Sequence, residues 1–115
     1  MKARQAVSNA DSLRPNSISD DIKAGWLHEI DTKAAQFIGI EDPENKWPDD
    51  YDLVIPEPYS EVYELYLCCR IDNAQMETAV YEDDRGVYQA AWQEWTAWWR
   101  RHNRPKKTGG WRVGL

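Results

Sequence analysis

The chain has 115 residues, of which 42% are apolar and 30% charged, with a net charge of −6. That length suits one domain around one core, and that composition excludes a disordered chain. The charge is polarised: residues 1–94 hold all 20 acids and 8 bases, a net −12, whereas residues 95–115 hold six bases and no acid. Such a chain is not built to coat a nucleic acid along its length; it suits head-to-tail association with an acidic partner or with copies of itself.

Ala6, Val7, Ala10 and Leu13 recur at helical spacing and predict a short helix over 3–13. Arg14-Pro15-Asn16 ends it, because the residue before proline avoids the α region. Ser19 reads as an N-cap followed by Asp20 and Asp21, which suit the positive end of the helix dipole. Ile22, Trp26, Leu27, Ile30, Ala34, Phe37 and Ile38 then predict a helix over about 19–38, stopped by Gly39. The stretch Glu41–Asp52 has six acids and two prolines and reads as an exposed loop. Leu53-Val54-Ile55 suits a short extended segment, and Pro56 and Pro58 delay the next helix to about 59.

Residues 59–80 place Tyr59, Val62, Tyr63, Tyr66, Leu67, Ile71 and Ala74 on one stripe. Glu82-Asp83-Asp84 reads as a polar break that caps a last helix over 84–102, with Val87, Tyr88, Ala91, Trp92 and Trp95 inward. The short turn predicts an antiparallel hairpin as the core. The expectation is an all-α fold of about four helices: a helical domain over 1–103, with a long, partly extended loop at 40–58. A basic C-terminal arm over 104–115, expected to be flexible, completes the chain.

No catalytic constellation can be assembled from these residues. The two histidines, His28 and His102, form no zinc-binding spacing, and His102 near a helix C-terminus suits the dipole. Cys68 and Cys69 are adjacent and have no other cysteine to pair with, which excludes a disulfide scaffold and fits a reducing compartment. Packing is the simpler role for both. The acidic loop lacks the alternating ligands, central glycine and final glutamate of a calcium-binding loop. Gly109-Gly110 has no phosphate-loop context. No catalytic, cofactor or metal site is therefore expected. No apolar run reaches the ~20 residues of a membrane span. The opening residues lack the apolar stretch of a signal peptide, so use in a cytoplasm is expected.

Two features stand out. Seven Trp and six Tyr accompany a single Phe, and these amphipathic rings are favoured where proteins meet. Trp92, Trp95 and Trp99 share one helix face and suit a core. Trp98 lies about 60° beyond Trp95 and is a candidate subunit contact, together with Tyr59 and Trp47. The second feature is the basic end, Arg100, Arg101, Arg104, Lys106, Lys107 and Arg112 with Trp111. It reads as a solvated tail, as a salt-sensitive nucleic-acid contact, or as an aromatic anchor flanked by cations that docks into a protein partner.

The order of these signals resembles one family. Asp11-Ser-Leu-Arg-Pro-Asn16, leading into Ile22-Lys-Ala-Gly-Trp-Leu-His-Glu-Ile-Asp31, is similar to the opening of head–tail connector (adaptor) proteins of tailed bacteriophages. Leu53-Val-Ile-Pro-Glu-Pro-Tyr59 with Val62, Tyr63, Tyr66 and Ile71-Asp72 resembles their middle. Glu77, Tyr81 and Tyr88-Gln-Ala-Ala-Trp92 resemble their close. The likeness spans about residues 7–100, whereas the Trp-rich last helix and the basic arm are this chain's own. It implies a mostly helical, non-enzymatic subunit that forms a ring, typically dodecameric, beneath the portal protein. Such a ring sits in the virion after assembly in the host cytoplasm, binds tail or head-completion proteins and passes DNA without specific binding. Portal docking through Arg100, Arg101, Arg104, Lys106, Lys107, Trp111 and Arg112 is the corresponding expectation. The alternative is a small helical DNA-binding or regulatory module using the same arm.

Overall fold

The structure, a computed structural model, describes residues 1–41 and 46–103. Four helices follow in order: α1 (Ala3–Leu13), α2 (Asp20–Ile38), α3 (Glu61–Ala74) and α4 (Thr78–His102). The fold is all-α. Among the described residues, extended pairing is limited to one bridge between Lys2 and Asp52.

The first two helices have the predicted bounds and caps. Ser19 Oγ accepts from Ile22 N at 3.4 Å. Gly39 adopts φ +83°, and Gly39 N and Ile40 N donate to Gln36 O and Ala35 O. That pair of bonds closes α2 with a left-handed residue, a position glycine takes without steric cost. The start of α1 is capped from a distance. Asp50 Oδ1 accepts from Arg4 N at 3.1 Å, and Tyr51 O accepts from Ala3 N at 2.9 Å. Two orphan helix donors are thus satisfied by the 46–55 segment.

The hairpin differs from the reading of the sequence. α3 ends at Ala74 rather than near 80, and α4 begins at Thr78 rather than 84. The stop is a backbone conformation: Met76 sits at φ +59°, with Met76 N and Glu77 N donating to Asn73 O and Asp72 O. This is the same left-handed closure as at Gly39, made here by a methionine. Glu82, Asp83 and Asp84 lie inside α4 and cap nothing. The two helices run antiparallel, as Tyr66 against Tyr88 and Tyr59 against Trp98 show.

The core gathers Ala3, Ala6, Val7 and Ala10 of α1, Leu27, Ile30 and Ala34 of α2, Val62, Tyr63, Leu67 and Ile71 of α3, and Trp95 of α4. Leu13, Ile22, Ala74 and Val87 were expected inside but are exposed. Each sits at a helix end or at the rim of its apolar stripe, where no neighbouring element covers it. Conversely, Tyr51 belongs to the stretch read as exposed loop, yet Tyr51, Leu53 and Ile55 are all buried. They alternate with Asp52 and Val54, as an extended segment with one face on a core must.

Candidate functional site

Three polar knots hold the helices together, and most of their members lie in the motifs singled out from the sequence. In the first, Lys23 of α2 is 2% exposed. Its Nζ donates to Asp11 Oδ1 at 2.7 Å and Asn16 Oδ1 at 3.1 Å, with Asp20 Oδ1 at 3.5 Å. Asn16 Nδ2 donates to Asp11 Oδ1 and Arg14 O, and Asn16 Oδ1 accepts from Ile18 N. The Asp11–Asn16 turn is thereby folded around a buried ammonium, which is stable inside only because it is paired.

In the second knot, Asp31 of α2 accepts on Oδ1 from Val54 N at 2.9 Å and from the Tyr63 hydroxyl at 2.6 Å. The same hydroxyl oxygen accepts from Ile55 N at 2.8 Å. Burial raises the Asp31 carboxyl above its ordinary range, against the lowering effect of these two donors. Burial, with the neighbouring carboxylate, also raises the Tyr63 phenol. The hydroxyl therefore stays protonated and relays between loop and helix.

The third knot joins the α1–α2 elbow to the hairpin. Arg14 grips Asp84 with two bonds, Nε to Oδ2 at 3.0 Å and Nη2 to Oδ1 at 2.8 Å. Arg14 Nε also lies 3.3 Å from Oδ1 of the fully buried Asp72. With that N–H directed at Asp84, neither Asp72 oxygen accepts a protein hydrogen bond. Burial and the facing Asp84 carboxyl push Asp72 up to about 7, with Arg14 pulling the other way. Burial and the neighbouring carboxylate thus favour the protonated form of Asp72. Cys68 and Cys69 are also buried, and burial pushes their thiols up to about 12 and about 11, respectively. Packing accounts for both.

The surface chemistry gathers at the two ends of α4. At its C-terminal end, Trp95 is buried while Trp92, Trp98 and Trp99 are half-buried. Phe37 lies 5.4 Å from Trp95 and 6.3 Å from Trp92. Trp98 stacks on His102 at 4.6 Å and meets Tyr59 at 5.5 Å. Two of the candidate contact residues, Trp98 and Tyr59, are thus brought together, and both keep partial exposure. Trp47 joins neither; it lies beneath Arg4, whose guanidinium carbon is 4.9 Å from its ring centre.

Cations sit over two of these rings, Arg100 over Phe37 at 5.2 Å and Lys33 over Trp92 at 4.9 Å, and elsewhere Arg70 of α3 lies over Trp26 of α2 at 5.0 Å. Arg100, Arg101 and His102 are exposed in the last turn of α4. Arg104, Lys106, Lys107, Trp111 and Arg112 lie outside the described residues. Lys33 and Arg70 carry no mark of this role in the sequence, which gives no sign that these parts of α2 and α3 bring cations to aromatic rings, whereas Phe37 lies on the apolar stripe of α2 as expected.

At the other end of α4, Glu77, Glu82 and Asp83 are exposed, and Met76 is 87% exposed at the turn. Met76, Tyr81, Glu77 and Glu82 line a notch of about 170 Å³. Among the described residues, no group of three or more His, Cys, Asp or Glu could hold a metal ion, and no helix is long and apolar enough to cross a membrane. Comparison with family models, curated proteins and solved structures finds no match to this chain.

Proposed function

We propose that this chain is a structural subunit of a bacteriophage head–tail connector. In this reading, copies form a ring beneath the portal protein, extend the DNA channel and present a docking surface to tail or head-completion proteins. The subunit catalyses nothing, holds no cofactor and ends in the virion at the head–tail interface.

One observation carries the reading. The polar residues of the connector-like motifs, Asp11, Arg14, Asn16, Asp31, Tyr63 and Asp72, are prominent among those that tie the four helices together. The motifs are therefore instructions for building this helical body, and a shared order of such instructions argues for a shared body. A rigid body with half-buried aromatics and opposite charge at its two ends is suited to repeated contacts between copies. The acidic body would repel DNA phosphates, which favours sliding over sticking.

The arm is assigned to the portal, with Trp111 as its anchor. The test is light scattering and negative-stain imaging of the protein alone and mixed with its candidate portal. Rings are expected in at least one sample, and deletion of residues 104–115 is expected to abolish portal binding. Monomers in both samples overturn the connector reading; unchanged binding after the deletion overturns the role of the arm.

A further inference from the structure

The last turn of α4 is aromatic and cationic, and its arginines, Arg100 and Arg101, form no ion pair among the described residues. Arg101 lies about 60° around the helix from Trp98, whose ring stacks on His102 and stays partly open, while Arg100 turns to Phe37. Arginine beside partly open aromatic rings is the composition of energetic centres in protein interfaces.

We propose that this end of α4 receives the α3–α4 turn of a second copy, with Met76 and the exposed Glu77, Glu82 and Asp83 placed against Trp98, Arg101 and His102. This deepens the ring reading by naming the two faces that meet, although the contact can also exist without a closed ring.

Charge complementarity selects the occupant. The turn offers three exposed acids against the single exposed base Arg85, whereas the last turn of α4 carries Arg100, Arg101 and His102 and no acid, the exposed Glu94 lying seven residues before Arg101. Geometry excludes contact within one copy. The 25 residues of α4 span ~37 Å. Trp111 lies eight residues beyond Asn103, a reach of at most ~29 Å, so even the arm's aromatic anchor cannot return to its own turn. The contact therefore joins two different faces of neighbouring copies, which closes into a ring or propagates as an open chain according to its rotation. Met76 fits the same picture. It holds a left-handed conformation that glycine would hold without penalty, and its side chain is almost fully exposed.

The test uses the full chain and two reversals at exposed positions, Arg101→Glu and Glu82→Lys. Sedimentation velocity is expected to show self-association that falls with added NaCl. Each reversal alone should weaken it about tenfold or more, and an equimolar mixture of the two should restore a pair. A second measurement does not depend on charge. Met76→Cys and Arg101→Cys are prepared separately, mixed and exposed to a mild oxidant, with the buried Cys68 and Cys69 as background. A disulfide-linked pair containing one of each is expected.

A monomer under all conditions without that cross-link overturns the proposal. So does duplex DNA binding that Arg101→Glu abolishes while self-association is untouched. Rings on the portal that ignore both reversals keep the connector reading and overturn this contact. Dimers or open filaments rescued by the mixed reversals, with no ring on the portal, keep the contact and overturn the ring.

Discussion

Met76 and Asp72 lie at the α3–α4 turn and are each held in a state their residue type resists. Met76 has φ +59°, which costs an L-residue roughly 1–2 kcal/mol. Met76→Gly should therefore raise stability by about 1 kcal/mol, read as a higher urea midpoint with an unchanged slope. An unchanged or lower midpoint would mean that the side chain stabilises the turn.

Asp72 is buried against Asp84, and its carboxyl is raised to about 7. The folded state thus binds a proton that the unfolded chain, with an ordinary aspartate near ~4, releases. The sign follows: this pair contributes most stability at low pH, and the contribution is lost as pH rises through the window from about 4 to about 7. The slope is at most about 1.4 kcal/mol per pH unit. Asp72→Asn should flatten the pH dependence of the unfolding midpoint across that window. An unaltered profile would remove Asp72 as its source.

At the scale of elements, the 51–55 segment is fastened to α2 and α3 by one hydroxyl. Tyr63→Phe removes the donor to Asp31 and the acceptor of Ile55 N while leaving the ring in place. Two buried polar groups lose a partner, at about 1–3 kcal/mol for each group left unsatisfied. A loss of roughly 2–4 kcal/mol is expected by chemical denaturation, with faster amide exchange at Ile55 than at core positions of α3. Protection at Ile55 equal to that of the helix core would show that the segment is held by packing alone.

The pattern of apolar residues announced all four helices, but not the boundary between α3 and α4. Gly39 marked its stop because a glycine at a helix end is a written signal. Gln75-Met76-Glu77 contains neither glycine nor proline, so the same backbone closure there has no signature. The three acids at 82–84 supplied a false one.

For the whole molecule, every core side chain of the described structure comes from residues 1–95. A chain ended at Asn103 should keep the helical circular dichroism and the thermal midpoint of the full chain while losing portal binding. A clear fall in the midpoint would assign residues 104–115 to the fold rather than to a partner. The long axis of α4 separates the acidic turn from the basic end. That separation turns a modest net charge into a two-ended molecule.

Composition and periodicity by themselves determined the all-α class, the positions of α1 and α2, the hairpin and the polarity of charge. These are local or additive properties, readable wherever spacing alone assigns a face. The motif Asp11–Asn16 was equally visible, but its work was not: only the folded chain brings Lys23 into the turn, Tyr63 to Asp31 and Arg14 between Asp72 and Asp84. The burial of those charges, the cap that Asp50 lends to α1 and the meeting of Trp98 with Tyr59 join residues far apart in the chain. Tertiary structure alone decided them, because whether a polar group is paired inside depends on which distant backbone and side chains reach it.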